Sequence, residues 1–191
     1  MFRHLLQCFF ATVLIGSGLS ADASPVSLKS GATYKLQFDD VDGRKISTFD
    51  GHVSVIVVVT TKDTANAAEV GDRVPSRYKG SQKYRFLTIV HFRTIVSRWF
   101  SPIATLAIRH RLDQEATRVQ PEYDKRKIRR NPRQDLFAVA DFDGSALSKL
   151  GLSPDSNEVA VFLFDGNGVL MQYWQKVPDR ESLAAALRQT G

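Results

Sequence analysis

Residues 53–59 read VSVIVVV, six β-branched apolar side chains interrupted by one serine. A strand with one wet face alternates polar and apolar residues; an unbroken run describes a strand covered on both faces, central in a sheet with layers on either side. Directly after it the chain turns polar, as TTKDTANA over residues 60–67. Val70, Val74 and Tyr78 then recur at helical spacing, so the junction runs from strand to helix. Asp63 or Thr64 is expected to cap the free N–H groups of that helix.

The flanking segments supply the remaining layers. Tyr34, Leu36 and Phe38 alternate, Asp39-Asp40-Val41-Asp42-Gly43 turns, and Arg44 to Phe49 returns. This predicts a hairpin, with Asp42-Gly43 providing the positive backbone angles of its turn. Further strands are expected from Phe86 to Phe92, carrying LTIVHF, from LFAVAD (136–141), from VAVFLF (159–164) and from Val169 to Trp174. Ser101-Pro102 reads as a cap with proline at the first helical position, opening a helix that Pro121 kinks or divides. Asp143-Gly144 begins a short helix ending near Leu150-Gly151, and a final helix spans Asp179 to Arg188. The apolar stretch SRWFSPIATLAI (97–108) is expected to pack its helix start into the core, with a hydrophobic docking surface as the alternative. The order is a hairpin, then βαβαβα, then a second hairpin and a helix, without internal repeats or a linker.

LQFDDVDGRKISTFDGHVSVIVVV and VAVFLFDGNGVLMQYW, in this order and spacing, resemble the secreted redoxin and peroxiredoxin-like branch of the thioredoxin fold. The resemblance implies an α/β protein, a three-layer α/β/α sandwich with an extra N-terminal β-hairpin and, in this chain, a long basic helical segment. It places the reactive thiols of that family at Thr64 and Ala67, where a helix N-terminus would keep a thiolate nucleophilic. It also places the family's cis-proline at Val159, with Pro154 farther upstream. None of these residues can do thiol chemistry. Thr61 and Thr64 keep the spacing of the peroxiredoxin threonine and cysteine, but a hydroxyl has a far higher pKa than a thiol, and no base is evident beside it. Pro75 lies later than the helix proline of many thioredoxins, which implies an insertion in the first helix.

At the N-terminus, Arg3 and His4 precede an apolar run from Leu5 to Ile15, and Ala21-Asp22-Ala23 follows. That pattern predicts a signal peptide over residues 1–23 and a mature domain over 24–191, periplasmic or extracellular, with an uncleaved anchor helix as the alternative. The single cysteine, Cys8, would leave with the signal. With 43% hydrophobic residues in 191, the chain suffices for one compact domain with appendages.

The formal net charge is +6, and residues 109–133 hold nine Lys or Arg against four acids. Arg111, Glu115, Arg118, Glu122 and Arg126 interleave at three- and four-residue spacings, the pattern of an ion-paired solvated helix, with Leu112, Ala116, Val119 and Tyr123 on its inner face. Beyond Asp124 the sequence KRKIRRNPR contains no acid. Lys125, Arg126, Lys127, Arg129, Arg130 and Arg133 are therefore the candidate binding residues, suited to an anionic envelope surface, a peripheral membrane contact or an acidic protein rather than nucleic acid.

His52, His91 and His110 lack the paired spacing of a zinc site, so no metal and no cofactor is expected. Three Phe-Asp-Gly triplets, at 49–51, 142–144 and 164–166, read as turns rather than calcium loops. The functional expectation is an exported, non-catalytic binding or accessory module. The competing reading is a thioredoxin- or peroxiredoxin-type antioxidant or disulfide-exchange oxidoreductase.

Overall fold

The structure is a computed structural model that describes residues 27–92, 100–156 and 158–190. The expected signal peptide, with Cys8, lies outside the described residues, as does Trp99. The elements follow in the order β1 (Gln37–Asp39), β2 (Lys45–Ser47), β3 (Val53–Thr60), α1 (Thr64–Arg73), β4 (Tyr84–His91), α2 (Ser101–Lys125), β5 (Leu136–Asp141), α3 (Ser145–Lys149), β6 (Ala160–Phe164), β7 (Leu170–Trp174) and α4 (Arg180–Arg188). Short 3₁₀ turns at Ser76–Tyr78 and Pro132–Asp135 precede β4 and β5.

The β-branched run is central, as its composition requires. The main sheet has the order β5-β4-β3-β6-β7, and β3 pairs parallel with β4 and antiparallel with β6. All eight β3 residues are buried. Odd-numbered valines 53 to 59 join Val70 of α1, Ile108 of α2 and Leu183 and Leu187 of α4 in one core. Ile56 and Val58 face the other way, against Phe38 and Ile46 of the hairpin and Leu147 of α3. Helices α1, α2 and α4 thus cover one face, and α3 with the hairpin covers the other.

The hairpin turn is built differently from the expectation. Only Gly43 has positive φ, at 79°. The buried Asp40 carboxylate accepts the N–H groups of Asp42 and Arg44, at 3.0 and 2.7 Å, so a side chain rather than a second left-handed residue shapes the loop. The hairpin tip then lies along β5. Val41 N–H donates to the Ala138 carbonyl at 2.8 Å, and Arg44 Nη2 donates to the Leu136 carbonyl at 2.7 Å.

All three Phe-Asp-Gly triplets are turns. Asp165 Oδ1 accepts from Asn167 and Val169 N–H, and Asp143 Oδ1 accepts from Ser145 N–H. Asp50 binds Arg85 and His52; burial opposes its ionisation, but those hydrogen bonds and charges hold its carboxyl below the usual aspartate range. A Cβ at Gly166 would stand 2.8 Å from the Gly51 carbonyl oxygen. Glycine is therefore required where these two turns dock.

The helices depart from expectation in four places. First, α1 ends at Arg73, with Pro75 outside it and Tyr78 in the following 3₁₀ turn; Val70, Val74 and Tyr78 are all buried, but proline ends the helix instead of lengthening it. Second, α2 continues through Pro121 for 25 residues. Its last turn is anchored by buried Tyr123, whose hydroxyl donates to Asp135 at 2.8 Å; burial and then Asp135 push that phenol well above its ordinary pKa. Third, Phe100 rather than Ser101 is the N-cap of α2. Fourth, the start of α2 does not pack into the core as its apolar composition suggests: Phe100, Ile103 and Leu106 are 59%, 65% and 65% exposed. Ile108 faces inward, and Ile103 and Leu106 lie on the opposite side.

Candidate functional site

At the β3 to α1 junction, neither expected cap is used. Asp63 holds the N-cap position without a side-chain hydrogen bond to the helix, because its carboxylate accepts the Thr60 hydroxyl at 2.8 Å. Thr64 begins α1, and its hydroxyl accepts from Arg111 Nη1 of α2 at 2.8 Å. Ala67 is one turn farther on and half-buried. One turn of helix thus presents a neutral hydroxyl and a methyl group at the two positions that the sequence resemblance assigned to thiols.

Thr64 and Ala67 line a groove of about 600 Å³ between α1 and α2. Its floor is the sheet surface formed by Phe86, Thr88 and Val90 of β4 and Ala138 of β5. A second crossing joins the helices about two turns away, where Arg118 Nη2 donates to Asp72 at 2.9 Å and to Glu115 at 2.6 Å. The Glu115 hydrogen bond first, then Asp72, raises the Arg118 pKa further above its ordinary value.

Val159 is not part of this groove. It precedes β6 and borders a smaller cavity, of about 210 Å³, with Leu150 and Tyr173. No cis peptide bond occurs among the described residues. Pro154 stacks over Gly144, and its carbonyl accepts from His91 Nε2 at 3.1 Å. The sequence positions assigned to thiols and proline therefore divide between two cavities.

The sequence expectation overlooked a buried polar pair. Thr60, His91 and Asp141 end the three parallel strands in register and are 6%, 4% and 2% exposed. His91 Nδ1 contacts Asp141 Oδ2 at 2.9 Å, and Asp141 Oδ1 accepts the Ala146 N–H of α3 at 3.1 Å. The available signal was the polar residue closing each apolar run: VVVT, TIVH, AVAD.

The basic segment is less uniform than its composition. Acids outside the segment do face it, one just beyond its end and two distant in sequence, contrary to the expectation from KRKIRRNPR alone. Arg130 pairs with Asp135 at 2.8 Å, and Arg133 pairs with Asp42 at 2.7 Å and Asp113 at 2.8 Å. Arg126 donates to the carbonyls of Ser76 and Lys79. The expected ion-pair ladder reduces to Arg118–Glu115, because Arg111 reaches Thr64, Glu122 pairs with Lys79 at 3.7 Å, and Arg126 takes carbonyls. These partners cross to other elements, which offer better geometry than a neighbouring flexible side chain. The inner face is as expected, with Ala116 and Tyr123 buried.

Lys125, Lys127 and Arg129 are exposed, and their side chains have no hydrogen-bond or ion-pair partner among the described residues. Lys127 also has φ 57°, the one left-handed non-glycine residue among those described. It closes α2 in a Schellman motif: its own N–H donates to the Asp124 carbonyl at 3.0 Å, and that of Ile128 to the Tyr123 carbonyl at 2.9 Å. Glycine is the residue that normally takes this position at low cost.

No family model matches this sequence, and no curated protein matches it. Among solved structures, it is similar to a putative thiol:disulfide interchange protein DsbE from Chlorobium tepidum, at 12% identity and a TM-score of 0.54, covering 86% of this chain and 99% of that one. A secreted thiol-disulfide isomerase from Corynebacterium glutamicum matches at 11% identity and a TM-score of 0.52, covering 83% and 84%. A peroxiredoxin-like protein from Aquifex aeolicus matches at 12% and 0.51, covering 86% and 89%. At these identities the likeness defines the fold. The chain has the thioredoxin-like fold, with an N-terminal hairpin, β1 and β2, ahead of the main sheet, and its single cysteine, Cys8, lies outside that fold.

Proposed function

We propose that this protein is an exported, thioredoxin-folded binding module without thiol catalysis, and that it engages an anionic partner at the end of α2. The observation that carries the reading is the division of labour within the basic segment. Arg126, Arg130 and Arg133 are occupied in holding the segment against Ser76, Asp135, Asp42 and Asp113, which leaves Lys125, Lys127 and Arg129 free on a fixed frame. A lysine kept in a left-handed position costs about 1 kcal/mol relative to glycine, and such strain is a signature of positions retained for something other than stability. Export is supported by the charged start, the apolar run and the Ala-Asp-Ala site.

Purified protein is expected to bind anionic vesicles or a polyanion resin at low salt and to be released as salt screens the attraction. Replacing Lys125 and Arg129 with Gln and Lys127 with Gly should abolish that binding. Lys127→Gly alone should raise stability by about 1 kcal/mol while weakening binding. A triple variant that binds like the parent would sink the proposal. Insulin reduction and peroxide consumption should both be absent, and turnover in either assay would instead support the oxidoreductase reading.

A further inference from the structure

The two helices beside the redox-like junction leave a space that their own side chains do not fill. Toward the gap α1 presents Ala67, Ala68 and Gly71, and α2 presents Ala104 and Ala107. The remaining volume, about 600 Å³, is in the range of small-molecule sites, roughly 300 to 1,000 Å³. The alanines and Gly71 of the walls and Phe86, Val90 and Ala138 of the floor make most of the lining apolar, beside the hydroxyls of Thr61, Thr64 and Thr88 and the polar side chains of Gln114, Glu115 and Arg118, so an apolar body displaces water favourably from its middle.

The charge at the rim is uneven. At one end Arg118 is neutralised by Glu115 and Asp72. At the other, Arg111 has no carboxylate partner among the described residues, and its guanidinium donates to the neutral Thr64 hydroxyl. A cation would be repelled at that end, and a multiply charged anion would find one guanidinium and an apolar floor. A single carboxylate on an apolar body matches both features, because an arginine binds a carboxylate through two parallel hydrogen bonds.

We propose that the groove between α1 and α2 binds an amphipathic monocarboxylate of the fatty-acid kind. Its carboxylate takes Arg111 in place of the Thr64 hydroxyl, and its chain lies over Phe86, Val90 and Ala138. This site is separate from the cations at the end of α2 and does not depend on the role given to them.

The test is calorimetry and amide chemical-shift titration of the purified protein with decanoate, decanol and inorganic phosphate. Decanoate should bind saturably and shift the amides of Ala67, Gly71 and Ala104. Decanol should bind about tenfold more weakly, the equivalent of one charge-assisted hydrogen bond, and phosphate should leave those amides unmoved. Arg111→Gln should bring decanoate down to the level of decanol, whereas Arg118→Gln should not. Ala107→Trp, at an exposed position on the rim, should block both ligands. Equal binding of decanoate and decanol by the parent protein, an absence of shifts in the groove, or a carboxylate preference that survives Arg111→Gln would overturn the proposal. The parent comparison decides even if a variant fails to fold.

Discussion

Two strand-to-helix junctions lie at the same end of the sheet and are finished in opposite ways. After β5, Asp141 is 2% exposed and binds both His91 and the first turn of α3; Asp143 takes the Ser145 N–H, and Gly144 turns left-handed at φ 76°. Each polar group there has a partner within the chain. After β3, Asp63 turns back to Thr60, α1 has neither a side-chain cap nor an acid in its first turn, and Thr64 meets an arginine from across an open groove. The first junction ties its polar groups to the sheet and to its own helix start, and the second leaves its helix start uncapped and meets α2 across the groove through a single arginine.

The contrast makes graded expectations. Asp141→Ala should be the most damaging, at about 3 to 5 kcal/mol, because it leaves a buried histidine and a buried N–H without their acceptor. Urea denaturation measures this; a cost no larger than that of Asp63→Ala would dissolve the distinction between the junctions. Asp143→Ala should cost about 1 kcal/mol, the usual worth of a side chain that satisfies a helix-start N–H. The hydrogen bond from Ser145 holds the Asp143 carboxyl below its ordinary range. Its contribution is therefore complete above the normal aspartate pKa and is lost as pH falls through the lower, folded value. The stability difference between parent and Asp143→Ala should accordingly shrink in acid; a difference that grows there would reverse the assignment. Thr64→Ala should have the smallest effect, within about 0.5 kcal/mol, since Arg111 returns to solvent at little cost. A larger loss would show that the Arg111 crossing is a structural strut.

What the sequence made legible follows from what is local. The β-branched run, the location of the turns and the inner face of α2 depend on residues within a few positions of one another, and all are present where expected, although Asp40 rather than a second left-handed residue shapes the first hairpin turn. The pairing of Arg133 with Asp42 spans 91 residues and that of His91 with Asp141 spans 50, so no local pattern contains them. Arg126 and Arg130 bind carbonyls of the Ser76 to Gly80 turn, which any sequence would present. That is why a segment without acids of its own looked wholly free. The exposed Ile103 and Leu106 mark the opposite limit: apolar composition alone does not say which side of a helix faces the core.

The hairpin that precedes the sheet has a consequence for how molecules of this protein meet one another. Strand β5 is an edge of the main sheet, and an edge with unpaired carbonyls is a template on which a second chain can add a strand. Here Val41 N–H occupies the Ala138 carbonyl, while Arg44 and Arg133 occupy that of Leu136. These two carbonyls are taken by groups that extend no ladder, one backbone N–H in a turn and two guanidinium forks. The hairpin tip thus acts as a guard against edge-to-edge aggregation, so that colloidal solubility, rather than the groove or the basic tail, is the property at stake in the Asp40-to-Arg44 loop.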